Sequence, residues 1–350
     1  LHLQVEDERI FEYLQHDEEL GAFWAENGCV AEQGSLLVPR AARGRVKQAL
    51  VKAGYPVKDV CGYAPGTPFD VSLREVDLDG NPFQLRDYQR DAVEAFYHAG
   101  RPTGGSGVIV LPCGSGKTII GIGAMGRVSN YTLIIATNNV AVHQWRDELI
   151  SKTHIQSKDI GEYTGLQKMI KPVTVTTYQM LTHRQSTEDA FEHLELFTNH
   201  DWGLIIYDEV HMLPAPVFRA TTEIQAKRRL GLTATLIRED GKEDDVFALI
   251  GPKRYDVPWK TLENQGYIAE AYCTEYRVPL PREVEVKYAH ADKRARFRIA
   301  AENFAKIELV EQLITNHPYD SILVIGYYIN QLETIAEDLD LPLITGKTKH

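Results

Sequence analysis

The segment GVIVLPCGSGKTIIGIGAM (Gly107–Met125) places an apolar run before a glycine-rich turn and a helical pattern. That order of strand, tight turn and helix start suits a phosphate. Backbone N–H groups converge at the helix N-terminus, and the helix dipole favours an anion. Gly114 and Gly116 let the loop curl around Ser115 without Cβ clashes. Lys117 would reach the β- and γ-phosphates, and the Thr118 hydroxyl would hold Mg²⁺. The full G-x-x-x-x-G-K-[ST] spacing is not met, because Leu111 stands where the first glycine belongs.

A second segment, WGLIIYDEVHMLP (Trp202–Pro214), ends an apolar run with Asp208, Glu209 and His211. Taken alone, the cluster admits a metal site, a general base or a solvated strand exit. With a phosphate loop upstream, open α/β sheets place ligands at the carboxyl ends of their strands. Asp208 would hold Mg²⁺ opposite Thr118, and Glu209 would accept a proton from an attacking water. His211 has no second His nearby to complete a zinc site, so it is read as joining the nucleotide site to its surroundings.

These residues need a sheet behind them, and the chain supplies the pattern for one. From about Val71 to Asp256, the apolar runs GVIVLP, YTLIIAT, VTVTTY, WGLIIYD and RLGLTAT alternate with helical stretches such as NVAVHQWRDELI. Near-continuous apolar strands separated by helices predict a parallel sheet covered on both faces. Residues 1–75 mix short helical patterns (FEYLQHDEEL, RVKQALVKAG) with a strand, GSLLVP, and end in a turn-rich linker, Gly62–Pro68. A second α/β unit is expected from about 266, with helices in AAENFAKIELVEQLI and INQLETIAEDL and strands in SILVIGY and LPLITG. The fold class is therefore α/β, with a small α+β N-terminal domain (1–75), a first lobe (76–265) and a partial second lobe (266–350).

The chain of 350 residues has a globular composition, 43% hydrophobic and 25% charged. No apolar run approaches the roughly 18–20 residues that span a bilayer, so no membrane partner is expected. Cys29, Cys61, Cys113 and Cys273 form no CxxC pair. That argues against a zinc or disulfide framework and for a cytoplasmic protein. A net charge of −11 argues mildly against nucleic acid but leaves room for a local basic groove. The most basic stretch, Lys287–Ala300, reads equally as a solvated helix face or as a strand contact. The first residue is Leu1, not Met, so the chain is read as part of a longer one.

In order, LRDYQ (Leu85–Gln89), GSGKT, ATNNVAVHQW, TTYQ, DEVH, LTAT and IREDG resemble the motifs of superfamily 2 helicases. DEVH with GLTATLIRED resembles the XPB family of DNA repair and transcription translocases, and GPKRYDVPWK looks most like bacterial members. The resemblance covers roughly Asn81 to His350. It implies two RecA-like lobes that use ATP and Mg²⁺ to move on DNA, at single-stranded/duplex junctions, in the 3′ to 5′ direction. It assigns adenine reading to Gln89 with Arg86, and coupling of hydrolysis to strand movement to His211, Thr233 and Thr235. Thr137 and Thr177 match positions that touch the nucleic-acid backbone. Arg238, Glu239 and Asp240 match a motif tied to unwinding. The N-terminal segment resembles a damage-recognition domain, where Arg40, Arg43, Arg45 and Lys47 form a modest basic cluster. A nuclease partner is implied by archaeal relatives.

Only about 30 residues separate Asp240 from Glu270, so a full helical thumb between the lobes is not expected. The resemblance places an arginine for transition-state charge in later motifs of the second lobe, so this stretch by itself is expected to hydrolyse ATP weakly. Two other readings stay open at this stage: an RNA helicase or remodeller of the same superfamily, and a nucleotide-gated scaffold without catalysis.

Overall fold

A computed structural model describes residues 1–5, 7–32, 34–39, 42, 46, 49–50, 53–55, 65–101, 104–183, 193, 200–213, 226–235, 243–346 and 348. The chain divides into two compact units, Leu1–Glu270 and Ala271–His350. Among the described residues, no helix is long and apolar enough to cross a membrane. Arg40, Arg43, Arg45, Lys47 and Cys61, as well as Arg238, Glu239 and Asp240, lie outside the described residues.

In the first unit a small antiparallel sheet, ordered β1 (His2–Gln4), β3 (Ser35–Leu37), β2 (Val30–Glu32), packs with two helices. Helix α1 (Glu8–His16) and α2 (Glu18–Glu26) share one hinge residue. Asp17 ends the first and caps the second, its carboxylate accepting from the Leu20 N–H at 2.9 Å. Leu14, Leu20, Trp24, Leu36, Val38, Val46 and Leu50 form a core of their own.

The larger sheet has seven strands, all parallel, in the order β10-β4-β9-β8-β5-β7-β6. They are β4 (Ser106–Val110), β5 (Thr132–Ala136), β6 (Ile160–Tyr163), β7 (Val173–Thr177), β8 (Leu204–Tyr207), β9 (Arg228–Thr233) and β10 (Lys253–Asp256). Every residue of β5, β7 and β8 is buried, as a sheet covered on both faces requires. The covering helices include α3 (Asp87–Tyr97), α4 (Lys117–Val128) and α5 (Asn139–Lys152). Asn138 caps α5 by accepting from the Ala141 N–H at 3.0 Å. Gly121 of α4 is needed for packing: a Cβ there would meet the Trp145 ring at 2.5 Å.

The five expected strands form as β4, β5, β7, β8 and β9, where the apolar runs stand. Two edge strands, β6 and β10, were not expected. Their sequences, IGEY and KRYD, carry charges and lack an apolar run; β10 is partly exposed, whereas β6 is largely buried, its Glu162 paired with Arg146. The expected linker before the lobe is knitted into it from Pro65 onward. The Thr67 N–H donates to the Asp201 carbonyl at 2.9 Å, and Val71 lies in the large core. Tyr267 and Ile268 pack on that same core at the other end of the unit.

The second unit contains α9 (Arg282–His290), α10 (Lys293–Ala301), α11 (Ala305–Asn316) and α12 (Ile329–Asp338), following α6 (Tyr178–Leu181), α7 (Glu243–Ile250) and α8 (Trp259–Asn264) of the first. The two expected helices form as α11 and α12. The two expected strands do not: among the described residues of 271–350 none is paired in a sheet. A strand is defined by its neighbour's backbone, and SILVIGY finds none within the described unit. Basic α10 is capped by Asp292, which accepts from the Ala295 N–H at 2.9 Å. Its Arg298 pairs with Glu302 at 3.0 Å and its Arg296 donates to the Ala289 carbonyl at 2.7 Å, so part of this charge is spent locally.

Candidate active site

The sheet order creates the site. Val110 of β4 lies beside Thr233 of β9, Tyr207 of β8 beside Gly231 of β9 and Ile135 of β5, and Ala136 of β5 beside Thr177 of β7. The segments that leave these strand ends carry GSGKT, Thr137, Thr177, DEVH and LTAT. Residues more than a hundred positions apart thus meet along one edge.

The glycine-rich loop turns into α4 through Gly116, which caps the helix with φ +77° in the left-handed region. A side chain there would also strike the Gln89 amide at 2.7 Å. Gly114 also has φ +77°, and the space beside it is open, with nothing nearer than 4.0 Å. Ser115 is fully buried and its hydroxyl donates to the Pro112 carbonyl at 2.7 Å. Its carbonyl accepts from the Tyr88 hydroxyl at 2.6 Å and from the Gln89 amide at 3.1 Å. Helix α3 therefore braces the loop from behind.

This placement gives Gln89 two tasks. The side chain is buried, and its amide oxygen accepts from the Arg86 N–H at 3.0 Å while its nitrogen holds Ser115. Arg86 lies 5.1 Å over the Tyr267 ring, and Tyr88 and Tyr267 have ring centroids 5.0 Å apart. Arg86, Tyr88 and Tyr267 form an aromatic and cationic face beside the loop.

Lys117 faces the acidic end of β8, its ammonium 3.3 Å from Glu209 Oε1. The other oxygen of Glu209 lies 3.4 Å from His211 Nδ1. His211 Nδ1 is also 2.8 Å from Thr233 Oγ1. The Thr233 hydroxyl donates to the Thr235 carbonyl at 2.5 Å, so its oxygen is the acceptor toward His211 and toward the Thr235 N–H at 3.2 Å. That arrangement puts the His211 proton on Nδ1. Lys117, Glu209, His211, Thr233 and Thr235 therefore form one continuous run.

Asp208 lies beside this run. Its Oδ2 accepts from the Trp145 indole N–H at 2.9 Å and its Oδ1 from the Glu209 N–H at 3.1 Å. Its backbone is held as well: the Asp208 N–H donates to the Ile135 carbonyl at 2.9 Å, and the Tyr178 hydroxyl donates to the Asp208 carbonyl at 2.9 Å. Burial raises the Asp208 pKa above the usual carboxylate value, the Trp145 hydrogen bond and Lys117 pull it down, and the Glu209 charge adds to the rise. Glu209 itself has a left-handed backbone, φ 46° and ψ 55°, which is costly for a residue with a Cβ.

The donors fit a magnesium–nucleotide. The open space at Gly114 can admit phosphate, and Lys117 supplies its counter-charge. Among the described residues no three His, Cys, Asp or Glu side chains gather to hold a metal by themselves. A cation here would lean on Asp208, Thr118, phosphate oxygens and water, which is how Mg²⁺ is usually held.

The expected nucleic-acid contacts are placed differently. Thr137 is partly exposed at the end of β5. Thr177 is 3% exposed, and its Oγ1 accepts from the Met180 N–H at 3.2 Å, capping α6. Sequence reasoning missed Trp145, Tyr88, Tyr178 and Tyr267 as parts of the site. For Trp145 a signal existed: a buried indole N–H must find an acceptor.

Residues 82–238 match the family model "Type III restriction enzyme, res subunit", and residues 262–350 match "ERCC3/RAD25/XPB C-terminal helicase". The chain is 49% identical over 322 residues to a DNA 3′-5′ helicase XPB of Mycobacterium tuberculosis, covering 92% of this chain and 56% of that one. It is 50% identical over 314 residues to the protein of the same name from Kineococcus radiotolerans, covering 90% and 54%. The chain belongs to the XPB family of superfamily 2 helicases. It spans about half the length of the curated relatives it matches. A more distant XPB-family relative is the helicase/translocase subunit XPB/SSL2 of general transcription and DNA repair factor IIH from Saccharomyces cerevisiae. It is 34% identical over 312 residues, covering 87% of this chain and 36% of that one. Among solved structures, the UvsW helicase from bacteriophage T4 aligns with a TM-score of 0.42 at 16% identity, covering 73% of this chain and 89% of that one.

Proposed function

We propose that this XPB-family chain is the nucleotide-hydrolysing part of an ATP-dependent DNA helicase or translocase that moves 3′ to 5′ and serves DNA repair. The observation that carries the reading is the run Lys117–Glu209–His211–Thr233 beside Asp208. The names of the bacterial relatives support the choice of DNA and of direction.

Lys117 would turn from Glu209 to the β- and γ-phosphates. Glu209, released, would take a proton from the water that attacks the γ-phosphorus as the bond to ADP breaks. Thr118 and Asp208 would hold Mg²⁺, which neutralises phosphate charge when bound. His211 stands between Glu209 and Thr233, so a change at the carboxylate would reach β9 through one ion-pair contact and one hydrogen bond. Arg86 and Gln89 would read the adenine beside Tyr88 and Tyr267. For Gln89 this means sharing or exchanging its hold on Ser115, which would tie loop shape to base identity. Thr137, Arg238, Glu239 and Asp240 are proposed strand contacts, and Thr177, whose buried hydroxyl caps α6, would meet the strand through its backbone, with DNA and a nuclease as the partners.

The test is the ATPase rate of the full-length protein with single-stranded DNA, duplex DNA and RNA. DNA should stimulate and RNA should not. Lys117→Ala should lower the rate by about 100-fold or more, the scale of removing one charge-stabilising donor. Stimulation by RNA alone would replace the DNA reading. No turnover with any nucleic acid would favour a nucleotide-gated scaffold.

A further inference from the structure

We propose that Trp145 is a positioning residue of the nucleotide site, its indole N–H setting the Asp208 carboxylate for the nucleotide-bound Mg²⁺. The inference rests on the reading of Asp208 given above and adds a residue to it. Trp145 is 1% exposed, and an indole nitrogen can only donate. The acceptor it meets is Asp208 Oδ2, at 2.9 Å. Together with the Glu209 N–H on Oδ1, the bond pins the carboxylate at two points and fixes its plane. One lone pair of each oxygen is left for a cation or its water shell.

The indole is itself held rigidly. Gly121 of α4 leaves room for the far edge of the ring, where a Cβ would come within 2.5 Å. Helix α5, which carries Trp145, is tied down at two further points. Arg146 pairs with the buried Glu162 of β6 at 2.6 Å, and Lys152 pairs with Asp77 at 2.6 Å. A side chain needed only to fill the core could be phenylalanine, which has no N–H to satisfy. Asp208 faces a donor fixed by three elements, so its orientation is set before any ligand arrives. Pre-set geometry of this kind contributes most where a ligand demands strict octahedral coordination, as Mg²⁺ does.

The experiment measures ADP binding to the full-length protein by calorimetry, in EDTA and across a Mg²⁺ series. Trp145→Phe should lower the ratio of affinities with and without Mg²⁺ about tenfold, the scale expected for loss of one outer-shell partner. Replacement of residue 145 by benzothienylalanine keeps the ring shape and deletes the N–H, and it should give the same loss. A melting curve for each variant separates this effect from unfolding. A Mg²⁺ dependence for the benzothienyl variant that overlays the wild type would overturn the proposal, whatever Trp145→Phe does. Absence of Mg²⁺-dependent ADP binding in the wild type would instead overturn the nucleotide-site reading itself, and this proposal with it.

Discussion

Two apolar runs of similar composition behave in opposite ways. TLIIA (Thr132–Ala136) is buried at every residue and paired on both sides, by β7 and β8. In SILVIGY (Ser321–Tyr327), Ile322, Leu323, Ile325 and Tyr327 are 46%, 78%, 83% and 80% exposed, and the segment is in no sheet. β-propensity is the same in both, so it does not decide the outcome. What differs is whether neighbouring backbones are there to pair and helices to cover. An apolar run is an offer to form a strand, and the rest of the fold accepts it or does not.

The sharpest way to test this contrast is one truncation in each run. Ile134→Ala should destabilise the first unit by about 2–5 kcal/mol, the cost of a cavity in a packed core. Leu323→Ala should stay within about 0.5 kcal/mol, as exposed positions do. Urea unfolding followed by circular dichroism measures both. An equal cost at the two sites would mean that Leu323 is buried in solution and that the contrast is wrong.

A glycine pair gives a smaller effect. Gly121→Ala forces a methyl group against Trp145 and should cost about 1–3 kcal/mol by overpacking. Gly165→Ala, with open space around it, should be close to neutral. A harmless Gly121→Ala would show that the indole can shift, and would weaken the case for a rigid Asp208.

The smallest effect concerns acid. Lys152, with the Asn81 N–H, holds the Asp77 carboxyl at about 2, below its ordinary 3.8. A lowered folded pKa adds stability that is complete above the unfolded value and is lost as pH falls through the folded one. This ion pair should therefore weaken between about pH 4 and pH 2. Asp77→Asn should flatten that part of a stability-against-pH curve and leave the rest in place. An unchanged slope would mean that Asp77 titrates normally.

Much of the site was legible because its chemistry is concentrated in short, distinctive segments. GSGKT and DEVH named Lys117, Asp208 and Glu209, and the alternation of apolar runs named five strands of the sheet. The rest depends on three dimensions. Strands β6 and β10 are short charged edges whose pairing depends on neighbours far along the chain. Trp145 on a helix reads as core until Asp208 is placed beside its N–H. Gln89 reads as a free amide until Ser115 and Arg86 are found at its two ends. SILVIGY reads as a strand until its neighbours are sought.

Glu209 carries a consequence for selection. Its left-handed backbone costs about 1–2 kcal/mol that glycine would not incur. Among variants at this position, Glu209→Gly would melt later and lack the carboxylate that faces Lys117 and His211. A screen that rewards heat tolerance alone would enrich that variant and, on the role proposed for Glu209, return an inert protein. Only a screen that also demands turnover keeps a residue that the fold, left to itself, would discard.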